Sequence, residues 1–339
     1  MVKITKSNTW EKRTYMIDDI KKYFSNKMNM EATNIENLPS FKNRVYKIQV
    51  GDKYFILKMF QDGETSARRS KTEAEIYRTY SNRCGLIPQM YFEDFTYKDF
   101  ESHVICREYV SGIGLKDNAA SKLKHSNEDG FRRLIESSIA AANCIHELET
   151  SDSYGTMLSG YPGNYLEFVL HEKNFGFGLT YEQLCNSLSE IDRDSLLTNY
   201  IRGNNLTTPQ KFTLCHNDFR GREILTNEDC TVNGIIDWEQ AIIGDPLSDF
   251  GSHLFSLLNS VYDNTPLQEK IIHTFLEYLP KDLHMQSLPF YLAERAILTS
   301  IVYYLEYNPK KFEWAMKFAE NMLSNKVQNE NDLINLIKV

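Results

Sequence analysis

The 339-residue sequence predicts an α+β protein of two lobes, a small antiparallel sheet carrying one helix followed by a larger, mainly helical lobe. Three observations predict it. Residues Arg44 to Phe60 (RVYKIQVGDKYFILKMF) alternate apolar and polar side chains on both sides of Gly51-Asp52, the pattern of two strands closed by a tight turn. Beyond Gly112-Ile113-Gly114 the period lengthens to that of helices, most clearly over Phe131 to Leu148 and Leu288 to Leu305. Between those helices lies a short island of strand-like runs. The lobe boundary is expected near residues 110 to 115, giving lobes 1–110 and 111–339.

In chain order, Asp18 to Lys27 reads as a helix, and Ser66 to Tyr80 as a second one rich in helix formers. Cys84 to Pro88 breaks the pattern before apolar stretches at Gln89 to Phe95 and His103 to Val110, so the first lobe runs strand, strand, helix, strand, strand. Ser151 to Asn164 is rich in turn residues. In the island, Lys211 to Leu214 leads into a polar loop, and Glu223 to Leu225 and Val232 to Ile236 flank a turn at Thr226 to Thr231. Ligands are expected where two lobes meet.

Hydrophobic residues make up 42% and charged residues 25%, which excludes a disordered or fibrous chain. Lys plus Arg total 38 against 46 Asp plus Glu, and the net charge of −8 offers no general field for nucleic acid or an anionic membrane. The start, MVKITKSNTW, lacks an apolar signal core, and Ala296 to Leu305 is about half a bilayer span, so a soluble cytoplasmic protein is expected. The six cysteines (Cys84, Cys106, Cys144, Cys185, Cys215, Cys230) form no C-x-x-C pair. Reduced, mostly buried thiols are expected, without structural zinc.

The chemistry concentrates in Cys215 to Phe250, CHNDFRGREILTNEDCTVNGIIDWEQAIIGDPLSDF, where acidic residues sit in loops at the mouths of apolar strands. That placement costs stability unless a cation or substrate uses it. Asp218 follows one strand and Asp237 ends the next, so a hairpin would bring the two carboxylates towards one point, suited to Mg²⁺ shared with nucleotide phosphates. Upstream, Lys58 stands inside the apolar run FILKMF, where its ammonium can reach a phosphate. Glu73 and Glu75 lie on the following helix, where residues two apart point to different faces, and the E-A-E-I-Y context favours Glu73 as the one that faces the sheet. Arg220 and Arg222 read equally as solvated side chains or as neutralisers of phosphate charge. His146 and the Tyr303-Tyr304 and Phe312 to Trp314 aromatics read as packing.

These motifs resemble those of the aminoglycoside phosphotransferase and choline kinase-like small-molecule kinases, which share the protein-kinase fold. His216-Asn217-Asp218 is similar to the family's H-G-D, Gly234-Ile-Ile-Asp237-Trp238 to its metal-binding strand end, and Gly244-Asp245-Pro246 with Asp249 to its G-D-P and downstream aspartate. The resemblance, carried by residues 38 to 255, implies a two-lobe protein-kinase-like fold. It implies Asp218 as the catalytic residue, Lys58 on the nucleotide phosphates and Glu73 as its partner. Asp237 and Glu223 would be Mg²⁺ ligands, with His216 and Asp249 as structural supports. The hinge backbone at Glu108, Tyr109 and Val110 would hold the base of ATP or GTP, and Ser40 and Asn43 the phosphate-covering turn. Glu223 departs from the family pattern, which has asparagine there, and the Leu38 to Arg44 turn has no glycine.

The implied activity is transfer of the γ-phosphoryl group to a hydroxyl of a small polar molecule, an aminoglycoside-type antibiotic being favoured. The acidic balance suits a cationic acceptor, with Glu167 or Glu172 facing it. The alternatives are a pseudokinase disabled by Glu223 and a choline- or sugar-type kinase. A protein kinase is disfavoured, because G-D-P stands where an activation loop would run and no A-P-E segment follows Asp237.

Overall fold

The computed structural model describes residues 15–40, 43–60, 64–124, 127–171, 173, 208–281, 283, 285–305, 308–325, 327 and 329–337. The chain forms two compact units, Met1–Val110 and Ser111–Val339.

In the first unit, α1 (Ile17–Met28) precedes β1 (Asn34–Leu38), β2 (Arg44–Val50), β3 (Lys53–Met59), α2 (Glu64–Tyr80), β4 (Met90–Asp94) and β5 (Val104–Glu108). The strands form one antiparallel sheet in the order β1-β2-β3-β5-β4. The β2–β3 ladder runs from Arg44↔Met59 to Val50↔Lys53 and closes across Gly51-Asp52. The sequence expectation lacked β1. NIENL is an edge strand with no fully buried residue, so it pairs through its backbone and carries no apolar alternation to read. Ile20, Tyr23 and Phe24 of α1 pack on the sheet through Ile48, Phe55 and Leu57. Burying each such side chain contributes about 1.5–3 kcal/mol.

The second unit opens with β6 (Ile113–Gly114), α3 (Leu115–Lys124) and α4 (Glu128–His146), whose Asn127 cap accepts the Gly130 N–H. The turn-rich passage at 151–164 contains three two-residue strands, β7 (Thr150–Ser151), β8 (Gly155–Thr156) and β9 (Ser159–Gly160), and is followed by α5 (Tyr165–His171). Then come β10 (Phe212–Cys215), β11 (Ile224–Thr226), β12 (Val232–Ile235) and β13 (Ile242–Gly244). Five helices close the chain: α6 (Leu247–Ser260), α7 (Thr265–Tyr278), α8 (Leu288–Leu305), α9 (Pro309–Ser324) and α10 (Glu330–Ile337). Almost every residue of α6 is buried, which makes it the central helix of this unit.

The predicted island divides between two sheets. One runs β7-β10-β13-β8-β9 and the other β12-β11-β6. The hairpin is therefore β11–β12, while the strand before Asp218 belongs to the other sheet. No helix of the described residues is long and apolar enough to cross a membrane. Four cysteines are buried and Cys144 is exposed, while Cys185 lies outside the described residues.

Candidate active site

In the first unit Lys58 sits on the central strand β3, paired with Val45 on one side and Ile105 on the other. Only 6% of it is exposed, and its ammonium donates to Glu73 Oε2 at 2.5 Å. Glu73 is fully buried, and its other oxygen accepts the Tyr77 hydroxyl at 2.7 Å. Burial first, then the neighbouring Glu73 charge, pushes the Tyr77 hydroxyl well above its ordinary value, so it stays a donor. Glu75 instead faces outward and pairs with Arg78. Ser40 and Asn43 flank the β1–β2 turn, whose residues 41 and 42 lie outside the described set. Glu108 ends β5, and its carbonyl accepts Arg107 Nη1 at 2.8 Å. Tyr109 carries the Lys47 ammonium 4.2 Å from its ring centre, and Val110 is half-buried at the end of the unit.

In the second unit one buried carboxylate organises the loop after β10. Asp249, in the first turn of α6, accepts the His216 and Asn217 N–H groups at 2.8 Å each and His146 Nε2 at 3.1 Å. Burial opposes its charged form, but the His146 and backbone donors outweigh it and hold the carboxyl below its ordinary range. His146 is thus a hydrogen-bonding partner as well as a packing residue. His216 ties the loop to the end of β12: its Nδ1 accepts the Asp218 N–H at 3.3 Å, and its Nε2 faces the Ile236 carbonyl at 2.9 Å. Both contacts together select the neutral tautomer with the proton on Nε2. Asn217 takes a left-handed conformation (φ 61°), which asparagine tolerates better than other side-chain-bearing residues, and donates to the Lys173 carbonyl at 2.8 Å.

Asp218 is 3% exposed and held by two arginines. Arg220 Nη2 reaches Oδ2 at 2.6 Å, and Arg295 Nη1 reaches Oδ1 at 2.9 Å while Nη2 binds the Asn217 carbonyl at 2.7 Å. Arg220 also reaches Glu223 Oε1 at 3.1 Å. The Ile236 N–H donates to the Glu223 carbonyl at 2.9 Å, extending the β11–β12 ladder by one pair and bringing Asp237 beside the acidic loop. Asp237 itself is left-handed, at φ 68°. Burial, then the Asp218 and Asp237 charges, push the Glu223 carboxyl up to about 8 against the opposing pull of Arg220. Burial pulls the Arg220 guanidinium down, but Asp218 and then Glu223 outweigh it and set it above its ordinary value. The acidic groups are therefore brought close by this strand extension and by His216, not by a hairpin joining the strands that precede Asp218 and Asp237.

The donor set fits a hard divalent cation. Glu223 Oε2 is buried with no hydrogen-bond partner, and Glu223 and Asp237 offer carboxylate oxygens within electrostatic reach of each other. Arg295 escaped the sequence reading, although LPFYLAERAIL carried a signal: Glu294 and Arg295 interrupt an otherwise apolar helix face, and charged residues are buried only when paired. Glu294 pairs with Lys173, and Arg295 with Asp218. Glu167 accepts the Asn164 N–H at 3.2 Å in the turn before α5, and Glu172 lies outside the described residues.

Solved structures share this fold at low identity. Aminoglycoside phosphotransferase APH(4)-Ia superposes with a TM-score of 0.63 at 14% identity, covering 91% of this chain and 99% of that one. Choline kinase LicA from Streptococcus pneumoniae gives 0.60 at 19% identity over 92% and 99%. Spectinomycin phosphotransferase APH(9)-Ia gives 0.52 at 12% identity over 96% and 94%. No curated protein matches the sequence. The fold is protein-kinase-like, and the model of the phosphotransferase enzyme family matches residues 34–281, nearly three quarters of the length. The chain belongs to the phosphotransferase enzyme family.

Proposed function

We propose that the protein transfers the γ-phosphoryl group of ATP or GTP to a hydroxyl of a small polar molecule, with Asp218 as the residue that orients the acceptor hydroxyl and receives its proton. The observation that supports this reading most is the rigid mounting of Asp218. Its backbone is tied through His216 and the Asp249-braced loop, and each carboxylate oxygen is fixed by a different guanidinium. Each oxygen accepts one of those bonds and keeps a further lone pair for a hydroxyl. Phosphoryl transfer asks for positioning and charge neutralisation more than covalent chemistry.

Lys58, held by Glu73, serves the nucleotide phosphates, and the backbone at Glu108 to Val110 serves the base. Glu223 and Asp237 are the residues that would hold Mg²⁺, which when bound supplies neutralisation of the phosphate oxygens. Arg220 bridges Asp218 and Glu223 and so couples the acceptor side of the loop to the metal side.

The test is Mg²⁺-dependent consumption of ATP and GTP with mass-resolved detection of products across polar alcohols, including aminoglycosides, the acceptor class favoured from sequence, and choline and sugars. Phosphate on a small alcohol is expected; phosphate only on protein, or no consumption with any acceptor, rejects the reading. A second reading, a nucleotide-binding pseudokinase, is favoured by one observation: Glu223 stands in the asparagine position, engaged by Arg220 and held partly protonated by burial. Activity that emerges only in Glu223→Asn would select the pseudokinase over the enzyme.

A further inference from the structure

Resting on the phosphotransferase reading, we propose that Lys116, Arg222 and Lys311 form a recognition site for an anionic group, phosphate or carboxylate, carried by the acceptor alcohol. The backbone brings the first two together. The Lys116 N–H donates to the Gly221 carbonyl at 2.9 Å, and Gly221 lies so near α3 that a Cβ there would stand 2.7 Å from Lys116 Cβ. Arg222 is the next residue, exposed, and immediately precedes Glu223 on the loop that carries Asp218. Lys311, in the first turn of α9, comes from the opposite direction along the chain. The Gly221 N–H donates to Ser256 on α6 at 3.4 Å, and the neighbouring Phe255 stacks on Trp314 of α9 at 5.7 Å, one helical turn beyond Lys311.

Among the described residues, no carboxylate forms an ion pair with Lys116, Arg222 or Lys311. The neighbouring Asp117 favours the Lys116 charge, and it is exposed. Burial and the mutual repulsion of Arg222, Lys311 and Arg220 pull the Lys116 ammonium below its ordinary value, so the cluster is held at a free-energy cost that an anion would relieve. Lys311 is kept in place by the Tyr262 and Tyr303 rings, at 5.3 and 5.5 Å, with its ammonium still able to donate. A cationic acceptor would meet like charge here.

Titration of gluconate, ribose 5-phosphate, inorganic phosphate and kanamycin into the full chain, saturated with a non-hydrolysable ATP analogue so that the nucleotide phosphate site is filled, tests the site. The hydroxy acid or the sugar phosphate is expected to bind, and which of them binds separates carboxylate from phosphate. Arg222→Gln and Lys311→Gln are each expected to weaken that binding by about 10-fold or more, with Arg222→Lys retaining part of it and thermal midpoints not lowered, since each neutral variant removes a like charge from the cluster. Binding of kanamycin alone, no binding of any anion, or anion affinity unaffected by both variants overturns the proposal. Loss of phosphoryl transfer across the entire alcohol panel instead overturns the phosphotransferase reading, and is read separately from this titration.

Discussion

At the scale of single residues, the site turns on how one carboxylate is held. Asp218 is braced from its own loop by Arg220 and from a distant helix by Arg295. Asp218→Asn keeps the size but gives up the proton acceptor, and its turnover is expected to fall on the order of 10²- to 10⁴-fold with nucleotide KM nearly unchanged. Steady-state kinetics with each substrate varied in turn checks this, and unchanged turnover would remove Asp218 from its role. Most of the candidate site residues were legible in the sequence because charged groups inside apolar runs are conspicuous. Lys58 in FILKMF and the acidic loops after β10 and β12 stand out in this way. Arg295 was not, because nothing in a linear sequence says that residue 295 meets residue 218.

At the scale of elements, two helices mount the loop. α6 supplies Asp249 from its first turn and α8 supplies Arg295. They touch at Gly251, where a Cβ would lie 2.7 Å from Tyr291 Cβ, one turn before Arg295. Gly251→Val should therefore push α8 outward, costing about 1–3 kcal/mol of stability. It should also lower turnover by loosening Arg295 from Asp218. Thermal unfolding and kinetics on the same preparation check both effects, and full activity in a destabilised variant would separate the helix contact from the site. The long helices and the β2–β3 hairpin were legible because their periodicities are strong. β1 and the two-residue strands β7 to β9 were not, because such short strands carry no apolar alternation to read and are specified by backbone pairing alone.

At the scale of the whole molecule, buried ionisable groups set the response of folding to acid. Burial pushes the His253 imidazole down to about 3 in the folded chain, against about 6.5 when unfolded. Below pH 6.5 the unfolded chain takes up a proton that the folded chain refuses. This group alone then removes about 1.4 kcal/mol per pH unit until about pH 3. Asp249 adds to the loss at still lower pH, since its depressed carboxyl stabilises the fold only while ionised. Unfolding midpoints between pH 7.5 and 4.5 should fall more steeply in the wild type than in His253→Asn, and parallel slopes would exclude His253 as a source.

The sequence by itself determined the two-lobe α+β layout and the kinase-like motifs, and singled out Lys58, Glu73, Asp218 and Asp237 as candidates, because periodicity and local spacing are properties of neighbouring residues. Tertiary structure decided the rest. It set Arg295 and Arg220 on Asp218. It also brought Lys116, Arg222 and Lys311 near one another from three segments of the chain. The pairing on Asp218 depends on which buried charges can find partners once the helices close around them, and that is a balance of desolvation and pairing no local stretch of sequence contains.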